Sequence, residues 1–208
     1  MTRVAIGVVH DAMVDAIWVG CLLRLRAERP DLIDQTIMVE GSPGSFDYGR
    51  NKVAHFFLEK TEATHLLTLD TDMVFNPGHL DALIERDVSV VSGAYFVNDK
   101  PPRPCFLRRD EQGYFRSVKD WEDGELIEVD ALGHGFCLIH RDVFTDIAPP
   151  DPLDHGGPWY RQDAVGASQQ VLEPDYAFCQ RAQQAGHKVH VDTKVFVGHN
   201  KPRILGYE

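Results

Sequence analysis

The chain has 208 residues, of which 43% are hydrophobic and 25% are charged, and its formal net charge at pH 7 is −11. This composition is too apolar for a disordered chain and too charged for an integral membrane protein. The negative charge also opposes tight non-specific binding to nucleic acid or an anionic membrane. The length suits one domain, and without a signal peptide or membrane-length run we expect a cytoplasmic protein.

The first 92 residues alternate short apolar runs with helical periods. Strands are predicted at 4–9, 36–40, 65–69 and 88–92, and helices at 14–25, 49–62 and 79–86. This alternation predicts an α/β fold with a mostly parallel, Rossmann-like sheet, helices on both faces and right-handed crossovers. Ligands of such sheets bind at the carboxyl ends of the strands, so the residues that end these strands are informative.

The second part of the chain is less regular and predicts a smaller antiparallel portion. The segments 115–118 and 126–132 have the pattern of antiparallel strands, since turn residues precede both. In chain order the further predictions are a strand at 136–139, a loop at 148–158, a helix at 175–186 closed by Gly186, and a strand at 188–197.

Two carboxylates at the end of an apolar strand are the strongest chemical signal. Asp70 and Asp72 follow the run 65–69 with Thr71 between them, and alternate residues of an extended chain point the same way. Two like charges so placed repel one another unless a cation lies beside them. Oxygen ligands favour a hard divalent ion such as Mg²⁺ or Mn²⁺, which also binds phosphate.

With these carboxylates in place, the order of segments resembles the GT-A fold glycosyltransferases, which use nucleotide-sugar donors. The resemblance covers about 4–200 and depends on the order and spacing of several loose motifs. Besides the Asp-x-Asp, these are Tyr48-Gly49-Arg50-Asn51, Val91 to Tyr95, Ala131 to Ile139, Glu173 to Arg181, and Val197-Gly198-His199.

The resemblance implies specific roles for four residues. Asp72 would bind Mn²⁺ or Mg²⁺ directly, Asp70 would contact the donor ribose and help to hold the ion, and His199 would be a third ligand. Asp175 would be the catalytic base, because an inverting transferase must deprotonate its acceptor hydroxyl. Here the chain departs from the family's Glu-Asp pair, since Pro174 precedes Asp175.

Further candidates follow from position along the same fold. We expect the nucleotide near His10, Glu40, Gly41, Arg50, Asp70 and Thr71, the sugar or acceptor near Gly93, Gly133, His134, Gly135 and Glu173, and the diphosphate near Lys201. The single domain 1–208 would then have a nucleotide-binding half at 1–92 and an acceptor-side half with a C-terminal tail at 93–208.

The leading hypothesis is therefore a metal-dependent glycosyltransferase with a nucleoside-diphosphate-sugar donor, an unknown hydroxyl acceptor and no membrane span. Two alternatives stay open: a nucleotidyltransferase acting on a sugar phosphate, and a catalytically degenerate nucleotide-sugar-binding module. The net charge disfavours nucleic acid as the acceptor without ruling it out. The donor base and sugar, the acceptor, the stereochemistry and the oligomeric state are not determined by the sequence.

Overall fold

The computed structural model describes residues 2–11, 13–41, 46–147, 159–165 and 170–201, so the predicted loop 148–158 lies outside the described residues. The helices are α1 (Ala16–Glu28), α2 (Phe46–Lys60), α3 (Pro77–Glu85), α4 (Arg141–Asp146) and α5 (Pro174–Gln184). The strands are β1 (Val4–His10), β2 (Ile33–Glu40), β3 (His65–Leu69), β4 (Met73–Val74), β5 (Val90–Ala94), β6 (Phe96–Val97), β7 (Arg103–Pro104), β8 (Phe106–Arg109), β9 (Phe115–Ser117), β10 (Leu126–Glu128), β11 (Ala131–Leu132), β12 (Phe136–His140), β13 (Asp163–Val165), β14 (Gln170–Leu172), β15 (Val189–Phe196) and β16 (Gly198–His199).

The centre of the described chain is a seven-stranded, mostly parallel sheet. Its strand order is β10-β15-β5-β12-β3-β1-β2. The pairs β1–β2, β1–β3 and β15–β5 are parallel, whereas β12 runs antiparallel between β3 and β5, and β10 runs antiparallel to β15. The predicted α/β class with a mostly parallel sheet is confirmed.

Helices cover both faces of this sheet, as the sequence predicts. One hydrophobic cluster joins the sheet to α1 and α3 through side chains such as Trp18 and Leu80. The other joins it to α2, α4 and α5 through Phe57, Phe144 and Phe178. Because β1 contributes to both clusters, its continuous apolar run is explained by burial on both faces.

Two local predictions need correction. The segment 126–132 divides, since β10 joins the central sheet while β11 pairs with β8 in a small sheet that also contains β9. The helix predicted at 14–25 is α1 (Ala16–Glu28), which buries Trp18, Leu22 and Leu25. The helix begins later than predicted, because Asp15 caps it by accepting hydrogen bonds from the amides of its first turn.

None of the helices in the described ranges is long and apolar enough to cross a membrane.

A histidine pair at the end opposite the strand carboxyl ends makes the stability of the fold sensitive to acid. His65 faces His140 across β3 and β12, with ring centroids 4.8 Å apart. Burial, reinforced by the nearby His140, lowers the pKa of His65 from 6.5 to about 4. Since the unfolded chain therefore binds the proton first, the stability that neutral His65 contributes is present above pH 6.5. It is lost as pH falls from 6.5 towards 4.

We therefore expect His65→Gln to unfold with less pH dependence than the wild type. The fall in Tm between pH 7 and pH 4.5 should shrink by about 3 °C, measured by thermal unfolding. His55→Gln, which changes an exposed histidine of α2, is the matched control and should behave as the wild type. If the Tm of His65→Gln depended on pH as that of the wild type does, the histidine pair would not contribute to the acid sensitivity of the fold.

Candidate functional site

A cavity of about 430 Å³ lies at the carboxyl edge of the parallel strands. Its walls come from both halves of the sequence, so neither half forms it alone. The lining residues are Val9, Phe46, Asp47, Arg50, Asp70, Thr71, Asp72, Tyr95, Val97, Cys105, Gly133, Glu173, Pro174, Asp175, Tyr176, His199 and Lys201.

One wall of the cavity joins Asp72 to the C-terminal part of the chain. β16 pairs antiparallel with β4, so that His199 lies opposite Met73. This pairing places His199 Nε2 3.3 Å from Asp72 Oδ2, and Lys201 Nζ lies 2.5 Å from the same oxygen. The other ring nitrogen, His199 Nδ1, is 2.9 Å from the Phe96 carbonyl, which fixes the orientation of the ring.

The electrostatics of this wall favour an ionised Asp72. Burial by itself would raise the pKa of Asp72, but hydrogen bonds from His199 and Lys201 outweigh it and hold the pKa at about 2. The hydrogen bond to Asp72 in turn raises the pKa of His199. The carboxylate therefore stays charged at neutral pH and is available to bind a cation.

The residues of this wall fit a divalent ion that takes part of its coordination from substrate. Within the described ranges no three His, Cys, Asp or Glu side chains form a complete metal site. When Nδ1 donates to the Phe96 carbonyl, the lone pair of His199 Nε2 faces Asp72 Oδ2, an arrangement that only a proton or a cation between them stabilises. Neighbouring ligands of Mg²⁺ lie about 3.0 Å apart, and its sites use few side chains together with phosphates and water.

A buried arginine connects the two sides of the cavity. Arg50 Nη2 lies 3.1 Å from Asp70 Oδ1 and 3.3 Å from Asp175 Oδ2, and Nη1 donates to the His134 carbonyl at 3.3 Å. The Arg50 side chain is 11% exposed, and its guanidinium lies over the Tyr160 ring. Arg50 thus pairs with two carboxylates and also lines the cavity, and its expected contact with the nucleotide stays a prediction.

Loss of this arginine should destabilise the fold. We expect Arg50→Gln to lower Tm by roughly 5–10 °C at pH 7. It leaves Asp70 and Asp175 without their shared cation, and removal of one partner of a buried pair is costly. The Tm of Arg50→Lys should lie between those of the wild type and Arg50→Gln, since lysine keeps the positive charge but lacks the planar guanidinium group. Lys52→Gln, on the exposed face of the same helix, is the control. A wild-type Tm in Arg50→Gln would show that pairing of Arg50 with the two carboxylates does not stabilise the fold.

His134 differs from the expectation that it faces sugar or acceptor. Its side chain is fully buried, with Nδ1 2.9 Å from the Tyr160 hydroxyl and the ring packed at 5.0 Å from Phe178. Burial and the nearby Arg50 lower its pKa well below the usual value, so the ring is neutral. Only the backbone of His134 serves the site, because its amide donates to Asp175 Oδ2 at 3.0 Å.

The other predicted residues that lie outside the cavity lining are Gly93, Gly135, His10, Glu40 and Gly41. Gly93 is within β5, and a Cβ there would lie 2.9 Å from both Cγ1 and the carbonyl oxygen of Val195, so close packing against β15 explains the glycine. The predicted nucleotide contacts His10, Glu40 and Gly41 lie together at the same edge of the sheet, where Gly41 donates a 2.7 Å hydrogen bond to the His10 carbonyl.

The sequence did not predict the aromatic and thiol part of the wall. Tyr95 directly follows β5, and its hydroxyl accepts a 3.1 Å hydrogen bond from the Gly135 amide. A Cβ on Gly133 would overlap both the Tyr95 hydroxyl and Cys105 Sγ, so this position needs glycine. The position of Tyr95 at the end of a buried strand was the one sequence feature that indicated a place near the site. No sequence feature indicated that Cys105 lines the cavity.

Comparison with known proteins adds evidence on the fold. No family model matches the chain, and no curated protein matches it. Among solved structures, A197 from STIV has a TM-score of 0.61 at 18% identity, covering 97% of this chain and 87% of that one. GalNAc-T7, whose structure holds UDP, GalNAc and Mn²⁺, has a TM-score of 0.61 at 13% identity, covering 100% of this chain and 45% of that one.

This chain has a GT-A-like fold. It spans less than half the length of GalNAc-T7, and at these identities the likeness concerns the fold alone.

Proposed function

We propose that the chain is a metal-dependent glycosyltransferase that moves a sugar from a nucleoside-diphosphate sugar to an acceptor hydroxyl. The observation that carries the proposal is the juxtaposition of Asp72 and His199 on one wall of a cavity whose other wall carries Asp175. The GT-A-like fold, shared with a transferase crystallised with UDP and Mn²⁺, supports the same conclusion. The proposal also includes a cytoplasmic location, a nucleotide-binding half at residues 1–92 and an acceptor-side half at residues 93–208.

The charge of the cavity explains why a cation is needed. Among the residues that the structure describes, its lining carries five carboxylates against two permanent cations, Arg50 and Lys201, and Arg50 already pairs with two of the carboxylates. A diphosphate would be repelled from such a surface without a further positive charge. Asp72 and His199 would hold Mn²⁺ or Mg²⁺, which when bound neutralises the charge of the leaving nucleoside diphosphate.

On the donor side, the chain's own residues position the substrate. Lys201 would leave Asp72 for the diphosphate, since its exposed ammonium is attached to a flexible chain at the cavity wall. Asp70 would contact the ribose and the hydration shell of the ion through the oxygen that Arg50 does not hold. The neighbouring Thr71 also lines the cavity. His10, Glu40 and Gly41 would contact the nucleotide at the adjacent strand ends.

On the acceptor side, Asp175 is the candidate base. Its Oδ2 accepts one hydrogen bond from the His134 amide and lies 3.3 Å from Arg50 Nη2. Within the described residues Oδ1 has no assigned donor, so this oxygen is the one available to deprotonate an acceptor hydroxyl. Glu173, Gly133 and Gly135 would shape the surroundings of the sugar and the acceptor.

The direct test is a screen of UDP, GDP, CDP and ADP sugars with and without Mn²⁺. We expect at least one donor to raise Tm in the presence of the ion and to be hydrolysed slowly to a nucleoside diphosphate. Release of pyrophosphate from a nucleoside triphosphate and a sugar phosphate would instead indicate a nucleotidyltransferase. Donor binding without turnover across a broad acceptor panel would indicate a binding module.

A further inference from the structure

Three consecutive backbone amides just before β12 donate hydrogen bonds to three different partners. They belong to residues 133–135, which we call the glycine segment. In chain order the acceptors are the Cys105 carbonyl at 2.8 Å, Asp175 Oδ2 at 3.0 Å and the Tyr95 hydroxyl at 3.1 Å. Neighbouring amides of one short segment therefore hold both the proposed base and the Tyr95 hydroxyl, so the positions of the two side chains are linked.

The carbonyl side of the glycine segment is anchored independently of Tyr95. The His134 carbonyl accepts a hydrogen bond from Thr68 Oγ1 at 2.7 Å. The Gly135 carbonyl accepts one from the Asp70 amide at 2.9 Å. On the amide side, the Tyr95 hydroxyl is the one acceptor of the Gly135 amide within the described ranges. A buried amide that loses its acceptor is costly, so without this hydroxyl the segment would have to shift.

Tyr95 offers a rigid acceptor to this amide. The residue directly follows β5 and is 5% exposed, and its carbonyl accepts the Cys105 amide at 3.0 Å. Its ring meets the His199 ring edge-on, with 5.7 Å between the centroids. Burial raises the pKa of Tyr95 well above its usual value, so the hydroxyl stays neutral at physiological pH. One side chain thus contacts the proposed metal ligand with its ring and the glycine segment with its hydroxyl.

The close approach of the glycine segment to this hydroxyl requires glycine on both sides of His134. A Cβ on Gly135 would lie 3.1 Å from the Tyr95 hydroxyl and 3.2 Å from Asp70 Oδ2, which is tighter than ordinary van der Waals contact. A Cβ on Gly133 would overlap the same hydroxyl. The position of Tyr95 therefore explains both glycines.

We propose that Tyr95 is a positioning residue for Asp175. Its hydroxyl holds the Gly135 amide, which keeps the neighbouring His134 amide on Asp175 Oδ2 and so keeps Oδ1 in place for the acceptor hydroxyl. The inference rests on the proposed transfer function, in which Asp175 is the base. Displacing a reacting group by about 1 Å can lower a rate by about 10²-fold, so a single hydrogen bond behind the base can have a large effect.

The kinetic test uses Tyr95→Phe, which keeps the ring but removes the hydroxyl. It follows Mn²⁺-dependent hydrolysis of the UDP, GDP, CDP or ADP sugar that the screen identifies, with water as the acceptor. We expect kcat to fall by about tenfold or more, whereas the donor KM should change less than about twofold and the rise of Tm with Mn²⁺ should persist. The matched control is Tyr114→Phe, the same change at a side chain that is 40% exposed and outside the cavity lining.

A double variant distinguishes positioning of the base from an independent effect. If Tyr95 acts through Asp175, Tyr95→Phe/Asp175→Asn should hydrolyse the donor no more slowly than Asp175→Asn alone. If the hydroxyl acts independently of Asp175, the two losses should multiply.

A further readout needs no activity. Amide hydrogen exchange is measured by NMR in the wild type and in Tyr95→Phe without substrate. The Gly135 and His134 amides should both exchange about tenfold faster or more in the variant, because the glycine segment loses one of its anchors. The Leu138 amide, in the middle of β12, is the internal reference and should be unchanged. Faster exchange at Gly135 alone would overturn the proposal, since the effect would not reach the amide that binds Asp175.

Three kinetic results would also overturn the proposal. They are a wild-type kcat in Tyr95→Phe, multiplied losses in the double variant, and a raised donor KM at unchanged kcat, which would indicate direct contact with substrate. Thermal unfolding of each variant shows that it folds. If the wild type hydrolyses no donor, the transfer proposal fails, and exchange of the His134 amide then decides separately whether Tyr95 holds the contact to Asp175.

Discussion

Replacing Asp72 with asparagine is expected to lower metal-dependent donor turnover by about 10³-fold, equivalent to about 4 kcal/mol. The change keeps the shape of the side chain but removes the charge that faces His199 Nε2 at 3.3 Å and Lys201 Nζ at 2.5 Å. A neutral amide is a poor ligand for a hard divalent ion beside a positively charged lysine. Turnover is measured against Mn²⁺ concentration with the donor found in the sugar screen.

A second readout for Asp72→Asn is independent of activity. Mn²⁺ should raise the Tm of the wild type, and this rise should be lost in the variant because binding to the folded state alone produces it. Asp31→Asn, which changes a carboxylate that is 70% exposed, is the matched control and should keep both responses. Wild-type turnover and Mn²⁺ response in Asp72→Asn would refute the metal assignment.

The second large effect is expected at Asp175. Asp175→Asn should lower transfer to an acceptor by about 10²- to 10⁴-fold, the range typical of a lost general base. Binding of the nucleoside diphosphate with Mn²⁺, measured by calorimetry, should change less than threefold. The amide oxygen can still accept the hydrogen bond from the His134 amide, so the wall of the cavity keeps its shape.

Two comparisons decide whether Asp175 is the base. Glu173→Gln, two residues earlier and also lining the cavity, should lose far less activity if Asp175 removes the proton. The anomeric configuration of the product should be inverted, since a base of this kind serves direct displacement. A retained configuration together with a small effect of Asp175→Asn would contradict the assignment.

Local patterns predicted some features of the candidate site well. The apolar run before Asp70 and Asp72 is β3, and the helix that carries Asp175 begins within one residue of its predicted start. Gly186 ends that helix with a φ of 94°, a conformation that glycine adopts without strain. These features depend on residues close together in sequence, so periodicity and turn chemistry are sufficient to predict them.

Other features of the site were not predictable in this way. The sequence placed His134 with its glycines at the acceptor, but the tertiary structure turns its ring into the core between Tyr160 and Phe178. The sequence indicated only that Arg50 would lie near the nucleotide, and the structure shows its guanidinium between two carboxylates. The direction of a side chain depends on what the rest of the fold packs beside it.

The sequence by itself determined the order of the longer helices and strands, the α/β class and the delivery of two carboxylates to a strand end, but not shorter elements such as α4 and β8. Only the tertiary structure decided that β12 enters the sheet antiparallel between β3 and β5, and that β16 returns to pair with β4 beside Asp72. Such pairings join residues far apart in the chain. Their stability comes from burial summed over the whole sheet, which no local pattern encodes.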